Sequence, residues 1–314
     1  MAEEREVPLV IIGAGPGGMT AALYAARAGL KTIVLDRGIP GGQMNNTTEV
    51  ENYPGIETIM GPELSMAMAQ HVQKFGPEFV TANVSAIERV DDRFRIVTSK
   101  VHYLATAIIY AAGAYPRELG VPGEKELRGR GVSYCATCDG AFFKGERMAV
   151  VGGGDTAATE ALHLRHLGDK VFVVHRRDRL RARPVLAERV TSDDRIEMVW
   201  DAVVTEIVGN EQVERLKLQN VKTREERELE VAAVFIAIGL IPSTELVKDM
   251  VELDEAGFIK TNRVMETSVP GLYAIGDVAN TPLRQIITSC GDGAIAAYYA
   301  DEYITGGPYG RGEE

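Results

Sequence analysis

Two segments of the chain repeat one pattern: an apolar strand, a glycine turn, an alanine-rich helix and a second apolar strand. The first copy starts with VPLVII (Val7 to Ile12), an apolar run typical of a buried β-strand, and continues with GAGPGG. MTAALYAARAGL then predicts a helix, and KTIVLD predicts a strand that ends at Asp36. The second copy reads RMAVV (Arg147 to Val151), GGGDTA, ATEALHLRHLG and KVFVV. This repetition predicts an α/β protein with two Rossmann-like, doubly wound, three-layer nucleotide-binding domains.

The first turn has the spacing of a dinucleotide-binding fingerprint. Gly13, Gly15 and Gly18 stand in G-x-G-x-x-G order. This spacing permits a tight turn, close approach of the backbone to a pyrophosphate, and close packing of the helix on the strand. Asp36 follows about 20 residues later, where an acid accepts hydrogen bonds from an adenosine ribose. The first fold is therefore predicted to bind FAD or NAD.

The second turn differs in the residues that follow its second strand. Gly152, Gly154 and Ala157 repeat the spacing, but His175 occupies the place of the acid. Arg176, Arg177 and Arg181 follow it. Arginine binds phosphate bidentately, whereas an acid repels it, so this fold is predicted to bind NADPH through its 2′-phosphate. A solvated basic face and a nucleic-acid patch are the alternative interpretations of these arginines.

The second fold is predicted to be inserted into the first. AIIYAAG near residue 110 and VFIAIG near residue 236 each read as a strand that leaves a domain, and GVPGEKELRGRG (120–131) reads as a polar linker. The predicted domains are 1–117 with 246–314 for FAD, and 118–245 for NADPH. The resumed part contains GLYAIGDVAN, in which Asp277 is a candidate ligand-binding acid or helix N-cap, two roles that can coexist.

Composition narrows the possible partners and the cellular setting. The 314 residues are 45% hydrophobic and 25% charged, and the net charge is −11. This balance fits a globular protein and argues against binding to nucleic acid or to an anionic membrane surface. The start MAEEREV has no signal-like segment, and no apolar run is long enough to span a bilayer. Three cysteines do not make a disulfide framework, so a reducing cytoplasm is expected.

Two of the three cysteines lie in SYCATCDG as Cys135 and Cys138. The pair has three interpretations: a redox disulfide, half of a zinc site, or two inert buried thiols. Zinc needs four ligands, and His163 and His166, the nearest candidates, have spacing unlike a finger-like site and lie in a predicted helix. No metal site is therefore predicted. Cys290 is expected to be a small core residue.

In the order and spacing of its motifs, the sequence resembles the low-molecular-weight thioredoxin reductases over nearly its whole length. The motifs are GAGPGG, GGQMNNTTEVENYPG, CATCDG, GGGDTA, HRRDRLRA, and GDV followed by RQIITSCGDG. The resemblance implies a homodimer that passes electrons from NADPH to FAD, to the CxxC disulfide, and on to thioredoxin. It assigns Cys138 to the flavin side and Cys135 to attack on the substrate disulfide, with Asp139 as the acid. A helix cap or turn residue is the alternative for Asp139.

The resemblance also implies two sets of cofactor contacts. For FAD they are Gly13, Gly15, Pro16, Gly18, Asp36, Arg37, Gly41, Gly42, Gln43, Thr47, Asn52, Val84, Ala112, Gly113, Asp277, Arg284, Gln285 and Ile286. For NADPH they are Gly152, Gly154, Asp155, Thr156, Ala157, His175, Arg176, Arg177, Arg181, Ile238 and Gly239.

The sequence departs from the family pattern at three positions. Tyr53 stands where tryptophan is common, Cys290 where alanine is usual, and Leu180 where phenylalanine is more typical. None of these changes removes a functional group.

One physical difficulty follows from the predicted domains. Both the CxxC pair and the NADPH fingerprint belong to the inserted domain, yet both must reach one flavin on the other domain. Turnover is therefore expected to require a rotation of the domains about their two connections.

Four other functions are alternatives to this one. A ferredoxin-dependent reductase and a small-dithiol oxidase would keep the fold, although the arginine cluster argues against donors other than a pyridine nucleotide. A peroxiredoxin reductase with an extra N-terminal domain is not expected, since the first predicted strand starts six residues into the sequence. A redox-sensing binding protein would be expected to have a damaged CxxC or nucleotide clamp, and both are intact.

Overall fold

The computed structural model describes residues 3–47 and 49–307. Residues 1–2 and 308–314, the two ends of the predicted FAD domain, lie outside this range, as does residue 48. The chain divides into two compact units, one comprising residues up to Tyr115 together with those from Ile241 onward, and the other comprising Pro116–Leu240. The boundaries predicted from the sequence lay after residues 117 and 245. The second unit is thus an insertion in the sequence of the first.

Strands and helices are numbered here in chain order. The strands of the first part are β1 (Glu3–Ile12), β2 (Thr32–Asp36), β3 (Glu49–Val50), β4 (Ile59–Met60), β5 (Glu78–Thr81), β6 (Val84–Val90), β7 (Arg93–Thr98), β8 (Val101–Tyr110) and β9 (Ala114–Pro116). Those of the second unit are β10 (Val132–Ser133), β11 (Arg147–Gly152), β12 (Lys170–Val174), β13 (Ile196–Val199), β14 (Ala202–Gly209), β15 (Val213–Asn220), β16 (Glu226–Glu230) and β17 (Ala233–Ala237). The chain then continues with β18 (Leu240–Pro242) and β19 (Leu272–Ala274). The α-helices are α1 (Pro16–Arg27), α2 (Gly61–Gln73), α3 (Ala136–Asp139), α4 (Asp155–Leu164), α5 (Pro184–Thr191) and α6 (Ile286–Thr305).

The first unit is built on a mixed sheet of strand order β5-β2-β1-β8-β7-β6, with β19 beside β8. β5, β2, β1, β8 and β19 run parallel, whereas β6, β7 and β8 are antiparallel neighbours. β1 is longer than predicted because its polar start, from Glu3, pairs with the start of β8 from Val101. One face of the sheet packs against α1, α2 and α6. The opposite face of the parallel strands is covered by side chains of β6 and β7 and of the segment that contains Val247 and Ile259.

Helices α1 and α6 approach each other closely because small residues lie between them. A Cβ atom on Gly293 would lie 2.3 Å from the carbonyl oxygen of Gly17. A Cβ atom on Gly18 would lie 1.9 Å from the carbonyl oxygen of Gly13, so the third fingerprint glycine lets α1 pack against its own turn.

The second unit has a parallel sheet of order β10-β17-β11-β12-β13 and an antiparallel sheet of order β14-β15-β16. Helices α3, α4 and α5 pack on one face of the parallel sheet, and the antiparallel sheet packs on the other. β17 is buried along its whole length, as expected for a strand covered on both faces. Both units therefore have three layers, and the predicted α/β class with two Rossmann-like folds is confirmed.

Short strands mark the two places where the chain passes between the units. β9 and β18 pair with each other at these crossings. Among the described residues, no helix combines the length and the hydropathy needed to cross a lipid bilayer.

Candidate active site

The two cysteines of SYCATCDG are bonded to each other. The S–S distance between Cys135 and Cys138 is 2.16 Å and their Cα atoms are 5.3 Å apart. Cys135 is the N-cap of α3, and its carbonyl oxygen accepts the N–H groups of Cys138 and Asp139 at 3.2 and 3.1 Å. Both cysteines are half-buried, so the pair is neither sealed in the core nor fully exposed. This arrangement fits a redox disulfide.

The described residues contain no group of three or more histidine, cysteine, aspartate or glutamate side chains arranged to hold a metal ion. Cys290 is a free, buried cysteine in the other unit.

The carboxyl group of Asp139 is held beside the disulfide by a serine. The hydroxyl group of Ser133 donates to Oδ2 of Asp139 at 2.6 Å, and the Ser133 oxygen accepts the N–H of Cys135 at 3.0 Å. Burial raises the pKa of Asp139, and the bond from Ser133 opposes that rise. Neither α3 nor the following 3-10 turn has a side-chain cap bond, so the carboxyl group does not act as a helix cap. Ser133 was not predicted from the sequence, because a serine before a CxxC motif carries no spacing signal.

A second carboxyl group anchors the segment that leads into the motif. The side chain of Glu124, which is 1% exposed, accepts the N–H groups of Leu119 and Gly120 at 2.9 and 2.7 Å. It also accepts the hydroxyl group of Tyr134 at 2.8 Å. Burial, reinforced by this bond, raises the pKa of Tyr134. Glu124 therefore fixes the polar segment that was predicted as a linker to the residue before Cys135.

The glycine turn of the second unit leaves open space where a pyrophosphate would lie. Gly152 has φ 158°, and a Cβ atom there would lie 2.4 Å from the carbonyl oxygen of Ala237 on the neighbouring strand. A Cβ atom on Gly154, the N-cap of α4, would have no protein atom within 4 Å. Asp155 is engaged by Arg183, whose backbone N–H and Nε both donate to its carboxylate at 2.7 Å. Thr156 is exposed and Ala157 is buried beneath the turn.

The arginines after β12 are available for a ligand. Arg176, Arg177 and Arg181 are exposed, and within the described part of the chain their guanidinium groups form no hydrogen bond or ion pair with a protein group. The backbone N–H of Arg181 donates to the carbonyl oxygen of Gly153 at 2.6 Å, which ties the arginine segment to the glycine turn. The guanidinium donors therefore fit a phosphate group.

His175 lies under the same turn, with only 5% of its surface exposed. Its ring packs edge-to-face with Trp200 at 6.4 Å between centroids, and a Cβ atom on Gly153 would lie 2.1 Å from its Cε1. Burial, followed by the nearby Arg181, lowers the pKa of His175. Its Nε2 has no partner among the described residues. Ile238 and Gly239 follow β17 at the end of the same parallel sheet.

The first unit repeats this turn geometry with an acid at its end. Gly13 has φ 105°, and a Cβ atom there would lie 2.3 Å from the carbonyl oxygen of Ala111, as at Gly152. A Cβ atom on Gly15, the N-cap of α1, would have no protein atom within 4 Å. Asp36 Oδ2 accepts the N–H of Ala14 at 2.7 Å, and Oδ1 accepts the N–H of Gly38 at 2.8 Å. The carboxyl group is thus held at the end of β2 beside the turn.

Further predicted FAD contacts come together around this turn. Gly41 has φ 127° and donates to the carbonyl oxygen of Ala14 at 2.8 Å. A Cβ atom on Gly42 would lie 3.3 Å from the Cα of Gly15. Asn52 donates to the side-chain oxygen of Gln285 at 3.1 Å, across a large gap in sequence. Gln285 is also the N-cap of α6 in a capping box with Thr288.

Several other predicted contacts lie on neighbouring segments of the first unit. Gln43 donates to the carbonyl oxygen of Ala114 at 3.3 Å, and Arg37 donates to the hydroxyl group of Tyr115. The remaining predicted contacts lie at the ends of secondary-structure elements: Pro16 starts α1, Thr47 follows a 3-10 turn, Val84 starts β6, Ala112 and Gly113 follow β8, and Ile286 starts α6.

Asp277 and Arg284 lie near each other without a side-chain ion pair. Arg284 donates to the carbonyl oxygens of Asp277 and Ala279 at 3.3 and 3.2 Å, and its guanidinium group lies 4.0 Å from the centroid of the Phe258 ring. Burial raises the pKa of Asp277, and the charge of Arg284 opposes this. Asp277 has helical backbone in a 3-10 turn that has no side-chain cap bond, so its carboxyl group does not cap that turn.

Two glycine turns, one acidic and one arginine-lined, and a disulfide in the same unit as the second turn together define a class of protein. The chain belongs to the pyridine nucleotide-disulphide oxidoreductase family, whose model matches residues 7–293. Members of this class and thioredoxin reductases use FAD and NADPH as cofactors.

Individual relatives make the match more specific. The chain is 47% identical over 305 residues to a thioredoxin reductase of Bacillus subtilis (strain 168), covering 97% of this chain and 96% of that protein. It overlays on the crystal structure of thioredoxin reductase from Streptococcus pyogenes MGAS5005 with TM-score 0.91 at 47% identity, covering 96% and 99% of the two chains. It overlays on thioredoxin reductase of Lactococcus lactis in the FR conformation with TM-score 0.66 at 48% identity and the same coverage. The resemblance to thioredoxin reductases is confirmed.

Proposed function

We propose that the chain is an NADPH-dependent thioredoxin-disulfide reductase. The observation that carries the proposal is the bonded Cys135–Cys138 pair, placed in the same unit as a glycine turn lined by unpaired arginines. The relatives at 47% identity are thioredoxin reductases, which supports thioredoxin as the acceptor. No described feature favours a ferredoxin donor or a small-dithiol acceptor.

The first unit offers the residues that would hold FAD. The open space over Gly15 fits a pyrophosphate at the start of α1, and Asp36 fits a ribose. Further contacts to FAD are assigned to Arg37, Gly41, Gly42, Gln43, Thr47, Asn52, Asp277, Arg284 and Gln285. When bound, FAD supplies the two-electron relay between NADPH and the disulfide.

The second unit offers the residues that would hold NADPH. The open space over Gly154 fits its pyrophosphate, and the exposed guanidinium groups of Arg176, Arg177 and Arg181 fit its 2′-phosphate. Replacing all three arginines by alanine should raise the KM for NADPH by at least about tenfold, while the KM for NADH changes little. Equal losses with both nucleotides would contradict this role for the arginines.

The two cysteines are assigned different roles on the strength of the family resemblance. Cys138 faces the electron source, and Cys135 attacks the disulfide of thioredoxin, forming a mixed disulfide that Cys138 resolves. Asp139 protonates the thiolate that leaves when the Cys135–Cys138 bond breaks. Its half-buried position and raised pKa support this, because such a group holds a proton nearer to neutral pH.

A domain rotation is part of the proposal. The disulfide and the NADPH turn both belong to Pro116–Leu240, so they would have to use one flavin in turn. The S. pyogenes and L. lactis structures have nearly the same identity and coverage but TM-scores of 0.91 and 0.66, which supports two arrangements within this class. A cross-link that locks the units should abolish NADPH-driven thioredoxin reduction. Unchanged turnover in the locked protein would refute the rotation.

A homodimer in the cytoplasm completes the proposal. Tyr298, Ile295 and Ile287 on α6 are exposed at 54%, 37% and 44%, which supports an apolar surface for a second copy. The small number of cysteines supports a reducing compartment. Sedimentation of the purified protein tests the dimer directly.

A spectrum followed by an anaerobic NADPH titration tests the enzyme itself. The purified protein should show flavin absorbance that bleaches with NADPH and less readily with NADH, and it should then reduce thioredoxin. Cys138→Ser should keep the flavin and its bleaching but lose thioredoxin reduction. Oxidised flavin that persists under NADPH, or full activity of Cys138→Ser, would overturn the proposal.

A further inference from the structure

A buried carboxyl group from another helix reaches the backbone between the two cysteines. Glu160 lies on α4, and its Oε1 accepts the N–H of Ala136 at 3.3 Å. Ala136 directly follows Cys135, is 1% exposed, and is the first residue of α3. Glu160 therefore contacts the redox motif at its buried residue, whereas the neighbouring Thr137 is exposed.

The two carboxyl oxygens of Glu160 have different surroundings. Its Oε2 is buried and has no hydrogen-bond partner among the described residues. An unpartnered buried carboxylate is costly, so this group gains from holding a proton. Consistent with this, burial raises the pKa of Glu160 to about 7, and the Ala136 N–H opposes the rise.

Other charged and titratable groups lie on α4 and on the elements packed against it. They are Asp155 and His163 on α4, Asp139 on α3, Glu188 and Arg189 on α5, Arg147 on β11 and Lys170 on β12. Asp155 pairs with Arg183 and Arg147 with Glu230, and Asp139 is held by Ser133. Glu160, in contrast, accepts a hydrogen bond from the backbone of the CxxC motif.

We propose that Glu160 is a positioning residue of the Cys135–Cys138 couple, which sets the redox equilibrium of the couple through the charge of its buried carboxyl group. The inference rests on the proposed function only in taking this disulfide to be redox-active. When the S–S bond breaks, two electrons enter and the sulfurs become one thiol and one thiolate. One proton goes to the thiol sulfur and a second goes to Glu160, because the negative charges of a carboxylate and a thiolate at one motif repel each other. Asp139 protonates the leaving sulfur. Glu160 gains or loses a proton and so changes the charge next to the backbone of the motif.

The experiment measures the equilibrium of the couple with glutathione in the purified holoprotein at about pH 8, roughly one unit above the pKa of about 7. The reduced fraction is read by alkylation of the cysteines, without NADPH or thioredoxin. Glu160→Gln keeps the shape and an acceptor for Ala136 but cannot carry charge. We expect it to shift the equilibrium about tenfold toward the dithiol, which equals about 30 mV.

Two further variants separate charge from structure. Glu160→Asp keeps the charge and should leave the equilibrium within about twofold of the unmodified protein. Glu188→Gln removes an exposed carboxylate from the neighbouring α5 and should have no effect. An unchanged equilibrium in Glu160→Gln, or equal shifts in the Gln and Asp variants, would overturn the proposal.

An infrared difference spectrum keeps the idea testable if Glu160→Gln does not fold. Reduction of the Asp139→Asn variant at about pH 8 should produce a protonated carboxyl band, since its remaining acid at the motif is Glu160. Absence of that band would refute the proposal. Neither measurement uses NADPH or thioredoxin. A negative result would therefore refute the role of Glu160 without refuting the proposed reductase activity, and a lack of reductase activity would not refute the role of Glu160.

Discussion

The hydroxyl group of Tyr53 donates to Sγ of Cys290 at 3.9 Å, although 237 positions separate them in the chain. The two residues are also two of the three positions at which the sequence departs from the pattern of the thioredoxin reductases. A larger ring is usual at the first position and a smaller side chain at the second. The contact places the two departures side by side, so we expect them to compensate each other in volume.

A double-mutant cycle tests this compensation. Cys290→Ala alone should lower the free energy of unfolding by about 1 kcal/mol, because it leaves a small cavity beside Tyr53. Tyr53→Trp alone should also destabilise, because the larger ring overlaps the Cys290 sulfur. The double variant should recover most of both losses, measured by thermal unfolding with flavin bound. Strictly additive losses would mean that the two positions are independent.

The Ser133–Asp139 bond predicts the effect of two substitutions on disulfide reduction. Asp139→Asn removes the acid and should slow reduction of the Cys135–Cys138 bond about 100-fold in stopped-flow measurements, with the flavin retained. Ser133→Ala should cost far less, because the acid remains.

The pH profile of Ser133→Ala is the sharper measurement. The bond from Ser133 lowers the pKa of Asp139, so its loss should raise that pKa. A rate that needs protonated Asp139 falls as the pH rises through this pKa, and in Ser133→Ala the fall should come at higher pH. An unshifted profile would argue that another group donates the proton.

Gly15 and Gly154 provide matched tests of the two cofactor sites. Each is an N-cap with extended backbone, and a Cβ atom on either would meet no protein atom within 4 Å. Alanine should therefore leave the fold intact but enter the space assigned to a pyrophosphate. Gly15→Ala should weaken FAD binding about tenfold or more, and Gly154→Ala should raise the KM for NADPH similarly while the flavin content stays unchanged. If either variant binds its cofactor normally, that turn does not hold the pyrophosphate.

Glu160 predicts a pH dependence of stability. Its pKa rises from an ordinary value of 4.5 to about 7 in the folded protein, so folding favours its protonated form. The resulting stabilisation is complete below about pH 4.5 and is lost as the pH rises through about 7, a change of about 3 kcal/mol. As the pH rises over this range, the thermal midpoint of the unmodified protein should therefore fall by several degrees relative to that of Glu160→Gln. A difference that stays constant with pH would mean that Glu160 titrates normally.

The repeated pattern of strand, glycine turn and helix was sufficient to predict the two Rossmann-like folds. The reason is local: a glycine with positive φ, such as Gly13 or Gly152, fits a turn that few other residues adopt, and apolar runs such as AVFIA of β17 must be covered on both faces. The polar start of β1 was missed because charged residues give no strand signal, and only pairing with β8 makes them a strand.

The sequence by itself determined the class of fold, the acid and the arginines that distinguish the two glycine turns, and the cysteine pair. These features lie within short segments, where spacing along the chain limits what the backbone can do. Only the tertiary structure brought together the hydrogen-bonded pairs Ser133–Asp139, Glu160–Ala136 and Tyr53–Cys290. Such contacts depend on how separate segments pack, and burial, which raises the pKa values of Asp139 and Glu160, exists only once those segments have packed.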